Sequence, residues 1–436
     1  MGFLDRLLNR TKKTVILALD GVPYSLIKEL NKKGELEHLG TSDYMEMTSV
    51  HPPISSVAWS SFMTGKNPGK HNIFGFLDRD IEKNELYTSD SRDLKEKTIW
   101  KYLSEKKRRS FVMNVPMTYP PYKINGKMVS GFLCPDIEKG TYPKNFANEL
   151  KKIDYRIDSD SSLALEDLNK FLKDVNLTFN RRKEAMFNHL EEDWDFFMVQ
   201  FMGTDRINHF MLGNWLDGDN YSKKFLKFYK KIDEMVGEVK EKINEDENLL
   251  IMSDHGFTGL RSEVEINYWL KEKGYLEDTK NFSNITRQTK AYSLLPGRIY
   301  LNVEGRERNG RVTSDEYENL QDEIIIELEN LKDPVSGDNI ISNAFKREDL
   351  YSGTYSERGP DIILKSREGY DLKSDFSAKE FTSKGLRTGM HTYDDAFLYS
   401  NKPLSKNEPN IIDLFPTIMD LMKVKKPKDL EGKSLV

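Results

Sequence analysis

Residues 14–21 read T-V-I-L-A-L-D-G, an apolar run that ends in a carboxylate and a glycine. A short run with no polar alternation predicts a strand buried on both faces, as in a parallel sheet covered by helices. Asp20 and Gly21 predict a sharp turn at its carboxyl end. The pattern recurs twice. W-D-F-F-M-V-Q-F-M (194–202) leads through Gly203 and Thr204 to Asp205, and L-L-I-M-S (249–253) runs into Asp254, His255 and Gly256. Ser110–Pro116 and Ala396–Tyr399 predict further strands. Helical spacing separates them, at Pro23–Lys32, Ile99–Arg109, Arg181–Glu192 and Phe225–Ile243, where Phe225, Phe228, Ile232, Met235, Val236, Val239 and Ile243 form one apolar stripe. This alternation predicts an α/β fold with a mainly parallel central sheet flanked by helices.

The rest of the chain is arranged around that core. Tyr44–Val50 reads as extended, and Pro52–Phe76 places small hydroxyls, Ser55 and Ser56 first, ahead of a helix-like apolar segment and a basic, glycine-bearing turn. Asp78–Lys97 reads as polar loop. Residues 138–180 form a polar and aromatic stretch of weak periodicity, expected as a small insertion near the site. Residues 260–380 change pattern, with strands at Arg298–Val303 and Pro360–Lys365 and a charged helix at Ser314–Leu331, and are expected to be an α+β insertion or cap. The core is expected over 14–259 and 381–436, closing with a helix at Asn410–Met422 and a tail.

Composition narrows the class. With 436 residues, 37% hydrophobic and 31% charged, and a net charge of -5, the chain suits a globular protein with a solvated surface and no general pull toward nucleic acid. The single cysteine, Cys134, forbids an internal disulfide and suits a reducing compartment. No run approaches the length needed to span a bilayer, and no signal-like apolar region opens the chain, so a cytoplasmic protein is expected. Residues 1–13 place Phe3, Leu4, Leu7 and Leu8 on one helical face beside Arg6, Arg10, Lys12 and Lys13, which allows weak contact with an anionic membrane surface.

In open α/β sheets ligands bind outside the carboxyl ends of strands, so Asp20, Asp205 and Asp254 are expected to face one crevice. His209, four residues after Asp205, would share its face if that segment is helical. His255 adjoins Asp254, and His391 precedes a strand. Each part alone is commonplace: an Asp-Gly after a strand is usually a turn. Together they supply the mixed nitrogen and oxygen donors that suit two divalent ions, probable chemistry being Zn²⁺ with Mn²⁺ or Fe²⁺ as alternatives. Two such ions beside three carboxylates and one ionised serine make a roughly neutral site before an anionic phosphate arrives. A metal beside the serine would lower its hydroxyl pKa and make it a nucleophile.

The segments L-A-L-D-G, T-G-K-N-P-G-K-H, G-T-D-R-I-N-H, M-S-D-H-G-F and G-M-H, with the N-I-I-D-L-F-P-T-I-M-D-L ending and E-G-K-S-L, resemble the type I phosphodiesterase/nucleotide pyrophosphatase branch of the alkaline phosphatase superfamily. The resemblance covers nearly the whole chain from Thr14. It implies an alkaline-phosphatase-like core with two metal ions, usually zinc, one held by Asp205, His209 and His391 and the other by Asp20, Asp254, His255 and the nucleophile. It places that nucleophile nine residues before Thr64, at Ser55, with Ser56 as the competitor and serine where the family often has threonine. It makes His71 a turn residue. The asparagine that holds a phosphate oxygen in nucleotide pyrophosphatases falls at Phe76, and Asn72 or Lys70 is left as a substitute donor. His38, His51 and His189 are expected at the surface or as caps.

The function implied is a two-metal phosphohydrolase acting on phosphodiesters or phosphomonoesters through a covalent phosphoseryl intermediate. The C/S-x-P-x-R signature of sulfatases is absent at S-S-V-A-W. A cofactor-independent phosphomutase is the rival enzyme, although its D-G-x-G-D start is D-G-V-P-Y here. A non-catalytic, metal-stabilised binding protein is the remaining alternative, disfavoured because none of the seven site positions is lost.

Overall fold

The computed structural model describes residues 12–39 and 44–436. The membrane contact expected of residues 1–13 therefore rests on a segment, 1–11, outside the described residues. Among the described residues no helix is long and apolar enough to cross a membrane.

An eight-stranded sheet organises the chain in the order Tyr44–Met47, Ala396–Ser400, Asn248–Met252, Thr14–Leu19, Phe196–Phe201, Ser110–Met113, Gly126–Val129, Thr141–Tyr142. The five strands from Asn248–Met252 to Gly126–Val129 pair in parallel, and Ala396–Ser400 and Thr141–Tyr142 run antiparallel to their neighbours. Side chains alternate across a strand, so both faces must be apolar where both are covered. Val15, Leu17 and Leu19 join Phe197, Val199 and Ile251 in one layer, under the Leu168–Leu190 and Ser222–Lys242 helices. Ile16 and Ala18 join Met198, Leu250 and Met252 in the other, under Ser55–Thr64, Ile99–Glu105 and Leu414–Leu421. That double covering is why residues 14–19 carry no polar alternation.

Three segments depart from the sequence expectation. The helix expected at Arg181–Glu192 begins at Leu168, where the Asp167 carboxylate accepts the Asn169 N–H at 2.6 Å. Phe171, Leu172, Val175 and Phe179 form its buried stripe, which interleaved charges had hidden. The expected loop at Asp78–Lys97 contains a hairpin, Leu77–Asp80 with Glu85–Thr88. The expected tail is packed: Leu435 is buried, and Lys66 meets Glu96 and Asp429 while Asn67 bonds Glu431.

Residues 291–366 build a second, antiparallel sheet ordered Ala291–Leu294, Arg298–Leu301, Ile362–Ser366, Ile341–Lys346. With the Ser314–Glu329 helix it encloses a separate apolar core that includes Ile299, Leu301, Ile324, Leu328, Ile341 and Ile362. The 77–88 hairpin locks onto this second sheet. Arg79 is buried, pairs with Glu307, donates to the Tyr292 hydroxyl at 2.8 Å and stacks 4.0 Å over the Tyr300 ring. Replacing Glu307 leaves a buried cation short of its carboxylate. Glu307→Gln is expected to lower stability by about 3 kcal/mol, read as a shifted urea midpoint. Glu304→Gln, at an exposed position, is expected to change it by less than about 0.5 kcal/mol.

Candidate active site

The site forms where the parallel strands end. Asp20 follows the Thr14–Leu19 strand, and Asp254 follows Asn248–Met252 beside it. Gly21 turns between them with φ 64, and its N–H donates to Asp254 Oδ1 at 3.1 Å. A Cβ there would lie 2.7 Å from the Phe257 ring, so only glycine fits the turn. Asp205 lies in the first turn of the Gly203–Asp217 helix, and His209 stands one turn on, as its spacing predicts. His391 arrives differently. It lies in a short strand, Gly389–Thr392, paired antiparallel with Gly256–Gly259 so that Phe257 faces His391. This ribbon brings the His391 ring to 3.8 Å from His255, centroid to centroid.

Distances tie the set together. Ser55 Oγ lies 3.2 Å from Asp20 Oδ1 and 3.4 Å from His255 Nε2. His255 Nε2 is 3.4 Å from Asp254 Oδ2. His391 Nε2 is 3.0 Å from both Asp205 Oδ1 and His209 Nε2. Donor atoms of Asp20, Asp254 and His255 lie within 4.8 Å of one another, and so do those of Asp205, His255 and His391. His255 thus touches both groups, although the resemblance assigns it to one.

The histidine tautomers reveal what the set is built to hold. Each ring sets its Nδ1 against a backbone carbonyl: His209 on Gly389 at 3.2 Å, His255 on Gly256 at 3.1 Å, His391 on Pro53 at 3.1 Å. With the Nδ1 proton committed there, the three Nε2 lone pairs converge on the carboxylates, an arrangement favourable around cations. Burial lowers the pKa of all three imidazoles, so they stay neutral ligands. Asp254 Oδ2 is buried with no hydrogen-bond partner, as a carboxylate oxygen reserved for a metal would be. These residues fit a divalent-ion centre.

Burial, with the charges of Asp254 and Asp205, raises Asp20 well above the ordinary carboxylate range, against hydrogen bonds from Trp59 and Gln200. Burial likewise raises Asp254. Burial alone would raise Asp205 too, but His209, His391 and Arg206 hold it well below the ordinary range. Sequence reasoning missed these supports. Trp59 Nε1 and Gln200 Nε2 donate to Asp20 Oδ2 at 2.8 and 2.6 Å, and Arg206 bridges Asp205 Oδ2 and Asp158 Oδ2 at 3.0 and 2.6 Å. Gln200 carried a readable signal as the one amide in an apolar strand.

Ser55 is the first residue of its helix and opens onto a cleft of about 800 Å³, with Asp205, His209 and His391 also on its wall. Ser56 points elsewhere, its hydroxyl buried without a partner. Asn72 is not among the cleft-lining residues: it caps the Pro68–His71 turn with φ 67 and donates to the Asp93 carbonyl at 3.0 Å. Lys70 is engaged with Glu431 at 2.9 Å. His71 is a buried turn residue, bonded to Ser61 Oγ at 2.9 Å and accepting the Ile73 N–H on Nδ1. His189 is buried, and His51 is half-buried. His51 stacks on Tyr393 at 4.0 Å beside the cleft, and His189 packs against Phe111 and Phe146; His38 is half-buried.

Sheet order, helical layers and the metal-ligand cluster at the strand ends define an alkaline-phosphatase-like fold. Residues 14–394 match the type I phosphodiesterase/nucleotide pyrophosphatase family, and the chain belongs to that family. It is a phosphoester hydrolase. None of the curated protein sequences matches it. Among solved structures it is similar to phosphonoacetate hydrolase from Sinorhizobium meliloti 1021, with 13% identity, TM-score 0.64 and coverage of 95% of this chain and 96% of that one. It is similar to the wild-type alkaline phosphatase PafA, with 15% identity, TM-score 0.61 and 98% of both chains covered. Human ectonucleotide pyrophosphatase/phosphodiesterase 5 matches at 16% identity and TM-score 0.56 over 97% of each chain.

The raised carboxyls have a measurable consequence. Asp20 and Asp254 keep protons at pH values where a free aspartate has lost them, and a divalent ion must displace those protons. Titrating Zn²⁺ into metal-free protein in weak buffer is expected to release protons. Affinity should rise with pH, and Asp254→Asn should reduce the release.

Proposed function

We propose that the chain hydrolyses phosphodiesters or phosphomonoesters with Ser55 as nucleophile, through a phosphoseryl intermediate, at a centre for two divalent ions. The observation that carries this reading is the position of Ser55 Oγ, between Asp20 Oδ1 and His255 Nε2 at the cleft floor. Asp205, His209 and His391 would hold one ion, and Asp20, Asp254 and His255 with Ser55 the other. The mixed imidazole and carboxylate donors favour zinc, with manganese or iron as alternatives. When bound, the ions supply Lewis acidity, lowering the serine pKa and offsetting phosphate charge.

The chain's own residues account for the rest. Ser55 begins a helix whose N-terminal dipole favours negative charge, both on its oxygen and on an arriving phosphate. Trp59 and Gln200 fix the Asp20 carboxylate, and Arg206 fixes Asp205, so the groups facing the nucleophile need not reorganise. Ser55 Oγ attacks phosphorus, its bond forming as the bond to the ester oxygen breaks, and the alcohol departs with a proton. Water then attacks the phosphoserine, the Oγ–P bond breaks, and phosphate or a phosphate monoester leaves. Arg387 lines the same cleft as Asp205, His209 and His391, and in this reading its cation would attract the substrate's anionic oxygens.

Residues 260–380 act as the cap in this reading, since Leu295, Pro296 and Leu364–Lys373 contribute to one wall of the cleft. A reducing, cytoplasmic setting belongs to the same proposal. It is supported by the lone Cys134, whose thiol burial pushes up to about 11, leaving little thiolate at neutral pH.

With Zn²⁺ or Mn²⁺ present, Ser55→Ala is expected to lower turnover of an aryl phosphate ester by about a thousandfold or more, and Ser56→Ala to retain most activity. Acid quenching during turnover should trap phosphate on Ser55. Full activity in Ser55→Ala, or phosphate moved between sugar positions with no release, would reject the proposal.

A further inference from the structure

We propose that the cleft wall formed by Phe76, Leu77, Phe132 and Leu295 receives the organic group of the substrate ester, and that this group is an apolar alkyl or aryl chain in place of a nucleoside. The inference rests on the phosphoester-hydrolase reading of the same site. All four residues line the cleft that Ser55 opens onto. The wall begins at the metal-ligand set itself: Arg206, which holds Asp205, lies 4.7 Å over the Phe132 ring. Phe132 in turn meets Phe76 edge to face, with centroids 5.2 Å apart and rings at 85°. Phe76 and Phe132 thus present rings, with no side-chain hydrogen-bonding group, on the cleft wall nearest Arg206.

Farther out, Leu77 and Leu295 are 42% and 44% exposed, and Leu133, next to Phe132 in the chain, is 44% exposed. Single exposed leucines are ordinary, but apolar side chains gathered along the rim of one cleft mark a surface awaiting a ligand. The structure spends a buried cation on holding two of them there. Arg298 is fully buried, and its guanidinium donates to the Leu77 carbonyl at 2.7 Å and the Leu295 carbonyl at 2.6 Å. One side chain therefore pins core hairpin and cap loop together and keeps both leucines at the rim. A nucleobase finds little here: Arg206 already covers the ring of Phe132, and Phe76, Leu77 and Leu295 offer no side-chain donor or acceptor for its edges. An alkyl or aryl group needs neither.

Calorimetry on the metal-loaded protein compares octylphosphonate, below its micelle concentration, with methylphosphonate. Burial of the chain on this wall is expected to make octylphosphonate bind at least about tenfold tighter. Leu77→Asp and Leu295→Asp, both at exposed positions, are expected to cut that ratio by about threefold each, and Phe76→Asn to cut it further. Equal affinities for the two phosphonates, or a ratio indifferent to all three substitutions, would overturn the inference. Turnover of methyl p-nitrophenyl phosphate reports separately on the hydrolase reading. If it fails while the chain-length dependence of binding persists, the wall stands as an apolar subsite and the assigned chemistry does not.

Discussion

Three carboxylates, Asp20, Asp205 and Asp254, stand buried at the ends of adjacent strands, and their mutual repulsion in a dry site is the constraint on which the surrounding structure depends. Like charges gathered away from water must be protonated, paired or bound to cations. The protein uses several of these solutions at once. Asp205 has Arg206 against one oxygen and two imidazoles against the other, while Asp20 takes hydrogen bonds from Trp59 and Gln200. Asp254 keeps one oxygen without a partner. The imidazoles present lone pairs, because backbone carbonyls occupy their other nitrogens. The facing imidazole lone pairs and the unpartnered Asp254 oxygen make sense around divalent cations and are costly without them.

The same constraint explains the division of labour between core and cap. The ends of the parallel strands supply Asp20, Asp205, Asp254 and His255, because those strands all end on one side, while the Gly389–Thr392 ribbon adds His391. Residues of the second sheet and its loops, Leu295, Pro296 and Leu364 among them, line one wall of the cleft. The two bodies have separate apolar cores and meet through a small apolar cluster of Phe74, Tyr351 and Ile363 and through well-buried polar contacts, Arg79 with Glu307 and the tyrosines and Arg298 with two loop carbonyls. Paired charges of this kind are directional, so they fix how the cap lies across the cleft where greasy packing would permit sliding.

Some errors of sequence reading share one cause. The Leu168–Leu190 helix was read as starting late because its stripe of Phe171, Val175 and Phe179 is diluted by charged neighbours that face solvent. The polar 77–88 segment was read as loop because Arg79 looks like a surface residue until Tyr300 and Glu307, more than two hundred residues on, are seen around it. His189 looks superficial in the sequence for the same reason, being buried against aromatic partners distant in the chain, and His51 is half-buried by Tyr393 in the same way. Polarity in a sequence says what a side chain needs, and only contacts across the fold say whether the need is met inside.

By itself the sequence determined the strand cores and the carboxylates that end them, because backbone period is a local property, and its motifs named the histidines that the fold gathers beside those carboxylates. Residues 14–21 announced a strand covered on both faces, and it is so. The tertiary structure alone decided that His391 reaches His255 through a two-stranded ribbon, and that Ser55 faces Asp20 while Ser56 does not. It also decided that Asn72 is a turn cap and that Phe76 meets Phe132. These depend on the direction of a side chain relative to a distant segment. No short-range pattern encodes that direction, because chain closure and packing set it together.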